Sequence, residues 1–477
     1  MYSVGVNSRQ YNYNTTGQVK AAAVKKTAAA EVSNPVSYAS NPIINTIPFN
    51  PSFTASALRT RLNSQEEKNK YNTILSNLDK TSKKQVKELL KSGILLNSNS
   101  NDKSTVLDNL YKIATNERAQ GLRADVILKD TIAILADPHV ITQQFGDIPK
   151  DMKNHLIDYY MDDKNMDKDK LIPRKLAQLD IDVEHSGTCV ASSIEFNLAK
   201  KMPAEFARFA EGISSPRMAV DKTIQLKNLT DNTLDSIWLL NAFEVPYKMD
   251  DFNQARLTFA PDKNAIIRAK IQTTHRDGNE RSVVDALMQA TLMQIGSQQT
   301  YDSLSDKRKG KFNQNDKGLI EFEKTFTESV VEDKNKISVT YQTVDDNARL
   351  VGYETDFDTM KRQISDALKL GENVIIGYTQ TNSQNEIING HEITITGERT
   401  DKNGNLIYIC NDTDDDIPRA VEYRADYLLP KIHHAGLPQE VVKDDVKLVE
   451  NWVEGFNNFN QLRKKSDNAE PAQQNAA

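Results

Sequence analysis

The chain has 477 residues, 38% apolar and 26% charged, with 60 Lys plus Arg against 66 Asp plus Glu and a net charge of −6. Its two cysteines, Cys189 and Cys410, exclude a disulfide scaffold and a cysteine-rich zinc module. Basic residues are scattered, which argues against a nucleic-acid partner, and no window approaches the 18 apolar residues that a membrane span needs.

The length suits two or three domains, or one domain with large additions. Residues 1–55 are rich in Asn, Ser, Thr, Ala and Gln and read as a disordered segment, as does the tail 464–477. The opening residues lack the apolar core of a secretory signal, so the default expectation is a cytoplasmic protein. Residues 56–150 read as an all-helical region. Tyr71, Ile74, Leu75 and Leu78 fall at i, i+3, i+4 and i+7, and Val86, Leu89 and Leu90 follow, with Gly93 as a cap. Val106, Leu107, Leu110 and Ile113 form a third stripe, and a fourth helix through Ile132 and Leu135 stops before Pro138. The mixed Asp and Lys of 161–170 miss the calcium-loop spacing and read as a solvated linker.

Further on, Ser282 and Asp285 make a capping box for a helix that Gly296 ends. Lys307 to Lys317 reads as an exposed loop, and Ile337, Val339 and Tyr341 alternate as a strand. The last third reads as a helix through Met360, Ile364 and Ala367, a buried strand at 373–379, a long loop, and a hairpin of 392–400 with 406–410 turning at Asn403-Gly404.

Three places carry chemistry. In GTCVASSIEFNLAKKM, Cys189 opens a helix whose Val190, Ile194, Leu198 and Met202 recur every four residues until Pro203. A thiol there meets unpaired N–H groups and the positive end of the helix dipole, which favour thiolate and can hold an oxyanion. In INGHEITITGE, His391 stands at the opening of a strand. In YICNDTDDD, a strand ends in Asn411-Asp412, either of which can orient an imidazole. Thiol catalysis needs a thiolate, an imidazole base and a group that fixes its tautomer. The pair His433-His434 has no partner at metal-ligand spacing.

With a two-residue turn at Asn403-Gly404, Ile395 faces Asp412 and Thr396 faces Asn411. His391 shares the parity of Ile393 and Ile395, so this register selects Asp412, while a three-residue loop would select Asn411. Cys410 points into the hairpin and reads as structural.

GTCVASS, VIIGY with NGHEITITG, and YICND together resemble the papain-like cysteine peptidases. The C-terminal part is most similar to the bacterial branch around the double-glycine leader peptidases, which also leans to Asp412. The resemblance covers about 171–202 and 358–430, roughly a fifth of the chain. It implies an α+β papain-like domain over 171–450, with an insertion at about 204–345 explaining the long interval between Cys189 and His391. It implies hydrolysis of a protein or peptide substrate through Cys189, His391 and Asp412 or Asn411, with neither metal nor organic cofactor. The family carries an oxyanion glutamine six residues before the cysteine. Here that position is Val183, and Gln178 is the nearest upstream glutamine, with His185 and Ser186 as substitutes. The helical region precedes the cysteine as inhibitory segments do in papain-like proenzymes. A transamidase or deamidase using the same triad, and a catalytically inactive binding or scaffold protein, stand as alternatives.

Overall fold

The computed structural model describes residues 58–144, 186–274, 281–310, 317–345, 347–414 and 419–450. The segments expected to be disordered, the 161–170 linker, Gln178 and His185 lie outside them.

Four helices open the described chain: α1 (Gln65–Ser76), α2 (Lys80–Lys91), α3 (Val106–Thr115) and α4 (Ala124–Ala136). Ser64 and Thr105 start α1 and α3 with reciprocal capping boxes to Glu67 and Asp108. Next come α5 (Cys189–Lys201), α6 (Pro203–Ile213), β1 (Val220–Gln225), α7 (Thr233–Ala242), β2 (Tyr247–Met249), β3 (Gln254–Phe259) and α8 (Ala265–Thr274). Pro203 ends one helix and takes the first position of the next, where its missing N–H costs nothing.

α9 (Val283–Gly296) starts on the expected box of Ser282 and Asp285 and is followed by the short pair β4 (Tyr301–Asp302) and β5 (Lys307–Arg308). The exposed loop expected from Lys307 onward is corrected here. Arg308 is buried against Glu323, because a paired guanidinium can leave water where a lone one cannot. Then follow α10 (Glu321–Glu332), β6 (Lys336–Thr340), β7 (Gln342–Val344), β8 (Leu350–Tyr353) and α11 (Phe357–Lys369). β9 (Val374–Thr381), β10 (Ile387–Thr400), β11 (Leu406–Asn411), β12 (Val421–Arg424), β13 (Ile432–Pro438) and β14 (Val449–Glu450) complete the main sheet.

The architecture is mixed α+β. Its centre is a seven-stranded antiparallel sheet in the order β12-β11-β10-β9-β13-β6-β14. Alternation on β9 sends Ile375 and Ile376 to different cores. One core joins Ile375 to α5, α6, α9, α10 and the four N-terminal helices, so the helical region is continuous with the packing around Cys189. The other gathers Ile376, Ile393, Ile395, Tyr408 and Cys410 beneath Met360 and Ile364 of α11.

Two expectations shift. β6 lies within the 204–345 insertion yet pairs with β13 and stands second from one edge of the sheet, so that stretch contributes to the sheet itself. The expected long loop before His391 is mostly strand. β10 begins at Ile387, and His391 is paired with Tyr378 inside it.

Ile376 is fully buried, whereas Leu234 is 74% exposed. Ile376→Ala is expected to cost about 2–5 kcal/mol in urea unfolding and Leu234→Ala less than about 0.5 kcal/mol.

Candidate active site

Cys189 is the first residue of α5. Thr188 precedes it but provides no capping hydrogen bond, since its hydroxyl is turned to Gln289 Oε1 at 2.7 Å. The amides of the first turn, which have no intrahelical acceptor, are therefore not capped by the Thr188 side chain beside the thiol. Gly187 is a place where only glycine fits. A Cβ there would lie 2.8 Å from Lys317 Cβ and 3.1 Å from the Gly318 amide nitrogen, and the Gly187 amide donates to Asp306 at 2.5 Å.

The expected amphipathic stripe understates α5. Val190 to Ala199 are all buried, including Ser192, Ser193, Glu195 and Asn197. A helix enclosed on every side must have its polar groups met from within the protein. Thr413 meets Ser192 (2.7 Å), Asn373 meets Asn197 (2.7 Å), and Gln289 of α9 meets Glu195 and the residue before the helix. Gln289 Oε1 accepts from Thr188 and from Arg281 (3.1 Å), and its Nε2 donates to Glu195 (3.1 Å) and to the Thr142 carbonyl (2.9 Å). Burial, with the Asp285 carboxyl nearby, pushes Glu195 well above the usual carboxylate range. This network fixes the start of α5 against α9 and against the segment leaving the N-terminal helices.

His391 and Asp412 meet across β10 and β11, with Nε2 2.7 Å from Asp412 Oδ1. The register differs from the two-residue turn. Asp401 pairs with Asn405, leaving a three-residue loop with Gly404 at φ +84°. Alone, that loop would bring Asn411 to the histidine's face. A bulge at Thr396 then shifts the pairing again, to Ile395 opposite Cys410 and Thr394 opposite Asn411. The two one-residue shifts cancel in parity, and Asp412 returns to the side of His391. Asn411 is buried opposite Thr394 and does not join His391.

Cys189 and this imidazole line the same cleft, and the thiol bears on the imidazole's titration. Nε2 is committed to Asp412, which leaves Nδ1 as the ring's other nitrogen. Burial alone would depress the imidazole. The Asp412 charge and hydrogen bond, together with the thiol, overcome it and hold His391 well above its ordinary value. Burial likewise works against the Asp412 carboxylate, but His391, the Asp414 amide (3.1 Å) and the Tyr423 hydroxyl hold it below the usual range. Cys410 is fully enclosed, and burial, reinforced by Asp412, pushes its thiol well up, out of reach of the thiolate form.

A cleft of about 250 Å3 opens on these groups, bounded by Ser186, Gly187, Cys189, Gly318, Gly390 and His391. Gln143 also lines it, a residue the sequence reading passed over. Its backbone N–H donates to the Thr413 carbonyl at 3.0 Å, beside Asp412. Its side chain is buried and Oε1 has no hydrogen-bond partner among the described residues. Nothing in its local sequence marks it, because it reaches the cysteine only through the fold. Ser186, one of the expected substitutes, bonds the Thr188 hydroxyl at 2.5 Å.

No family model matches this chain, and the comparisons with curated proteins and with solved structures returned no match.

The opposed shifts of His391 and Asp412 set a pH window. A raised imidazole contributes stability below its unfolded value, about 6.5, and loses it as pH rises through the folded value. A lowered carboxyl contributes above its unfolded value, about 3.9, and loses it as pH falls through the folded one. The stability difference between the natural chain and Asp412→Asn, read by urea unfolding, is expected to be largest between about pH 4 and 6.5. It should shrink on either side, and a difference independent of pH would refute the ion pair.

Proposed function

We propose that this protein is a cysteine peptidase of papain-like arrangement. The observation that carries the reading is the convergence on one cleft of a thiol at a helix N-terminus and an imidazole whose Nε2 is held by a carboxylate. Sequence order Cys189, His391, Asp412 and the split between helix and antiparallel sheet accord with that arrangement.

In this reading Cys189 is the nucleophile. The neighbouring imidazole takes the thiol proton, and the resulting imidazolium is stabilised by Asp412, which also fixes the ring's orientation. The thiolate attacks the scissile carbonyl, giving a tetrahedral oxyanion. The Cys189 amide donates to it, and we assign the second donor to the Gln143 carboxamide. The Gln143 carboxamide carries two N–H donors, and no donor among the described residues holds its buried Oε1, so the group is not tied by its oxygen. His391 protonates the leaving amine, and a water deprotonated by the same imidazole hydrolyses the thioester. The enclosure of α5 supports this role, since a nucleophile must be held within a fraction of an ångström of its target.

Cys189→Ala is expected to abolish both hydrolysis of a peptide library read by mass spectrometry and labelling by a thiol-directed peptidase probe. Cys410→Ser should retain both. Undiminished hydrolysis by the Cys189→Ala chain would sink the assignment, and a product carrying an added amine instead of water would mark a transamidase.

Gln143→Ala is expected to lower kcat about 10²–10³-fold with KM little changed, the pattern of a lost oxyanion donor. A change in KM alone would leave Gln143 as a wall of the cleft.

A further inference from the structure

A second cluster of chemistry-bearing side chains lies outside the triad. β13 carries a bulge where Ile432 pairs with Tyr378 but His434 pairs with Gly377, leaving His433 as the extra residue. Consecutive residues on a regular strand point to opposite faces. Here the bulge brings both imidazoles to one carboxylate oxygen. Glu321 Oε1, at the start of α10, lies 3.1 Å from His433 Nε2 and 3.6 Å from His434 Nδ1. All three donor atoms fall within 4.8 Å of one another. Both histidines are buried and Glu321 nearly so.

We propose that Glu321, His433 and His434 form a binding site for a divalent transition-metal ion, best matched to Zn2+. Four donors at Zn–N and Zn–O lengths of about 2.0–2.1 Å in a tetrahedron stand about 3.3 Å from one another, and the two measured separations bracket that value. Two imidazoles and one carboxylate form a borderline donor set that suits Zn2+ and disfavours Mg2+ and Ca2+, which take oxygen ligands. With three protein ligands the fourth position falls to water. The far side of the site is also built for a metal. His434 Nε2 lies 3.0 Å from Glu392 Oε1, so a proton on Nε2 would sit beside that carboxylate and leave the Nδ1 lone pair for an ion between Glu321 and His433. Glu392 is itself buried, 3.8 Å from Lys324 Nζ, and it adjoins His391. The site is independent of the peptidase reading.

The test uses the full chain carrying Cys189→Ala, so that the thiol and imidazole of the cleft do not take the ion. After chelator treatment and dialysis, this chain is expected to bind one Zn2+ in calorimetry and to retain it on desalting, read by elemental analysis. Co2+ in its place should give the visible absorption of a tetrahedral nitrogen and oxygen site. Glu321→Gln and His433→Gln should each weaken Zn2+ at least about 100-fold, and Glu392→Gln about 10–100-fold, as lost outer-shell partners do. Absence of stoichiometric uptake overturns the proposal. So does equal uptake in Glu321→Gln and His433→Gln chains that keep the parent circular dichroism. Should a variant fail to fold, X-ray absorption on the Zn2+-loaded Cys189→Ala chain decides. Two imidazole ligands support the site, and fewer overturn it.

Discussion

Strand parity is the constraint on which the site depends. Side chains on a strand alternate with a period of two, so a one-residue slip between β10 and β11 would carry Asp412 to the opposite face of the sheet. The hairpin contains two such slips, the three-residue loop closed by Gly404 and the bulge at Thr396. Each alone would part His391 from Asp412, and together they restore the contact at 2.7 Å. The bulge is held locally, since Thr396 Oγ1 donates to the Ile409 carbonyl at 3.1 Å. A polar pair on one face thus rests on the sum of two backbone irregularities.

The thiol's position has a different origin. α5 is enclosed by the N-terminal helices, α6, α9 and the sheet, and its buried polar groups are met in part by Gln289 at Glu195, Thr413 at Ser192 and Asn373 at Asn197. That same network takes the Thr188 hydroxyl away from the helix start, where Ser or Thr usually caps. One glutamine therefore both meets the buried Glu195 and draws the Thr188 hydroxyl away from the helix start. The four N-terminal helices belong to this framework. The segment that leaves them carries Thr142 to Gln289 and Gln143 to the cleft, and its hydrogen bonds to Thr413 tie it to the strand end that bears Asp412.

Bulges do the unusual work in both clusters. At Thr396 the extra residue corrects a parity. At His433 it defeats the parity, turning two neighbours on a strand toward one Glu321 oxygen. Neither is visible in an apolar pattern, because a bulge changes no residue type and only recounts the ladder. The choice of Asp412 over Asn411 accordingly came out of the sequence through a register that the protein does not use.

What the residues determined by themselves is local. The helical stripes, the box at Ser282 and Asp285, the start of a helix at Cys189 and the strands through Ile376, Ile393 and Tyr408 follow from periodicity and capping, which act over a few residues. The order of thiol, imidazole and acid was legible for the same reason, each residue type standing beside its own structural signal. The tertiary structure alone decided which partners meet. Gln143 at the cleft, Gln289 beneath α5, β6 in the main sheet and Glu321 against His433 and His434 are brought together over long intervals of chain. Such contacts are selected by the need to satisfy polar groups that burial has removed from water, and burial is a property of the assembled fold.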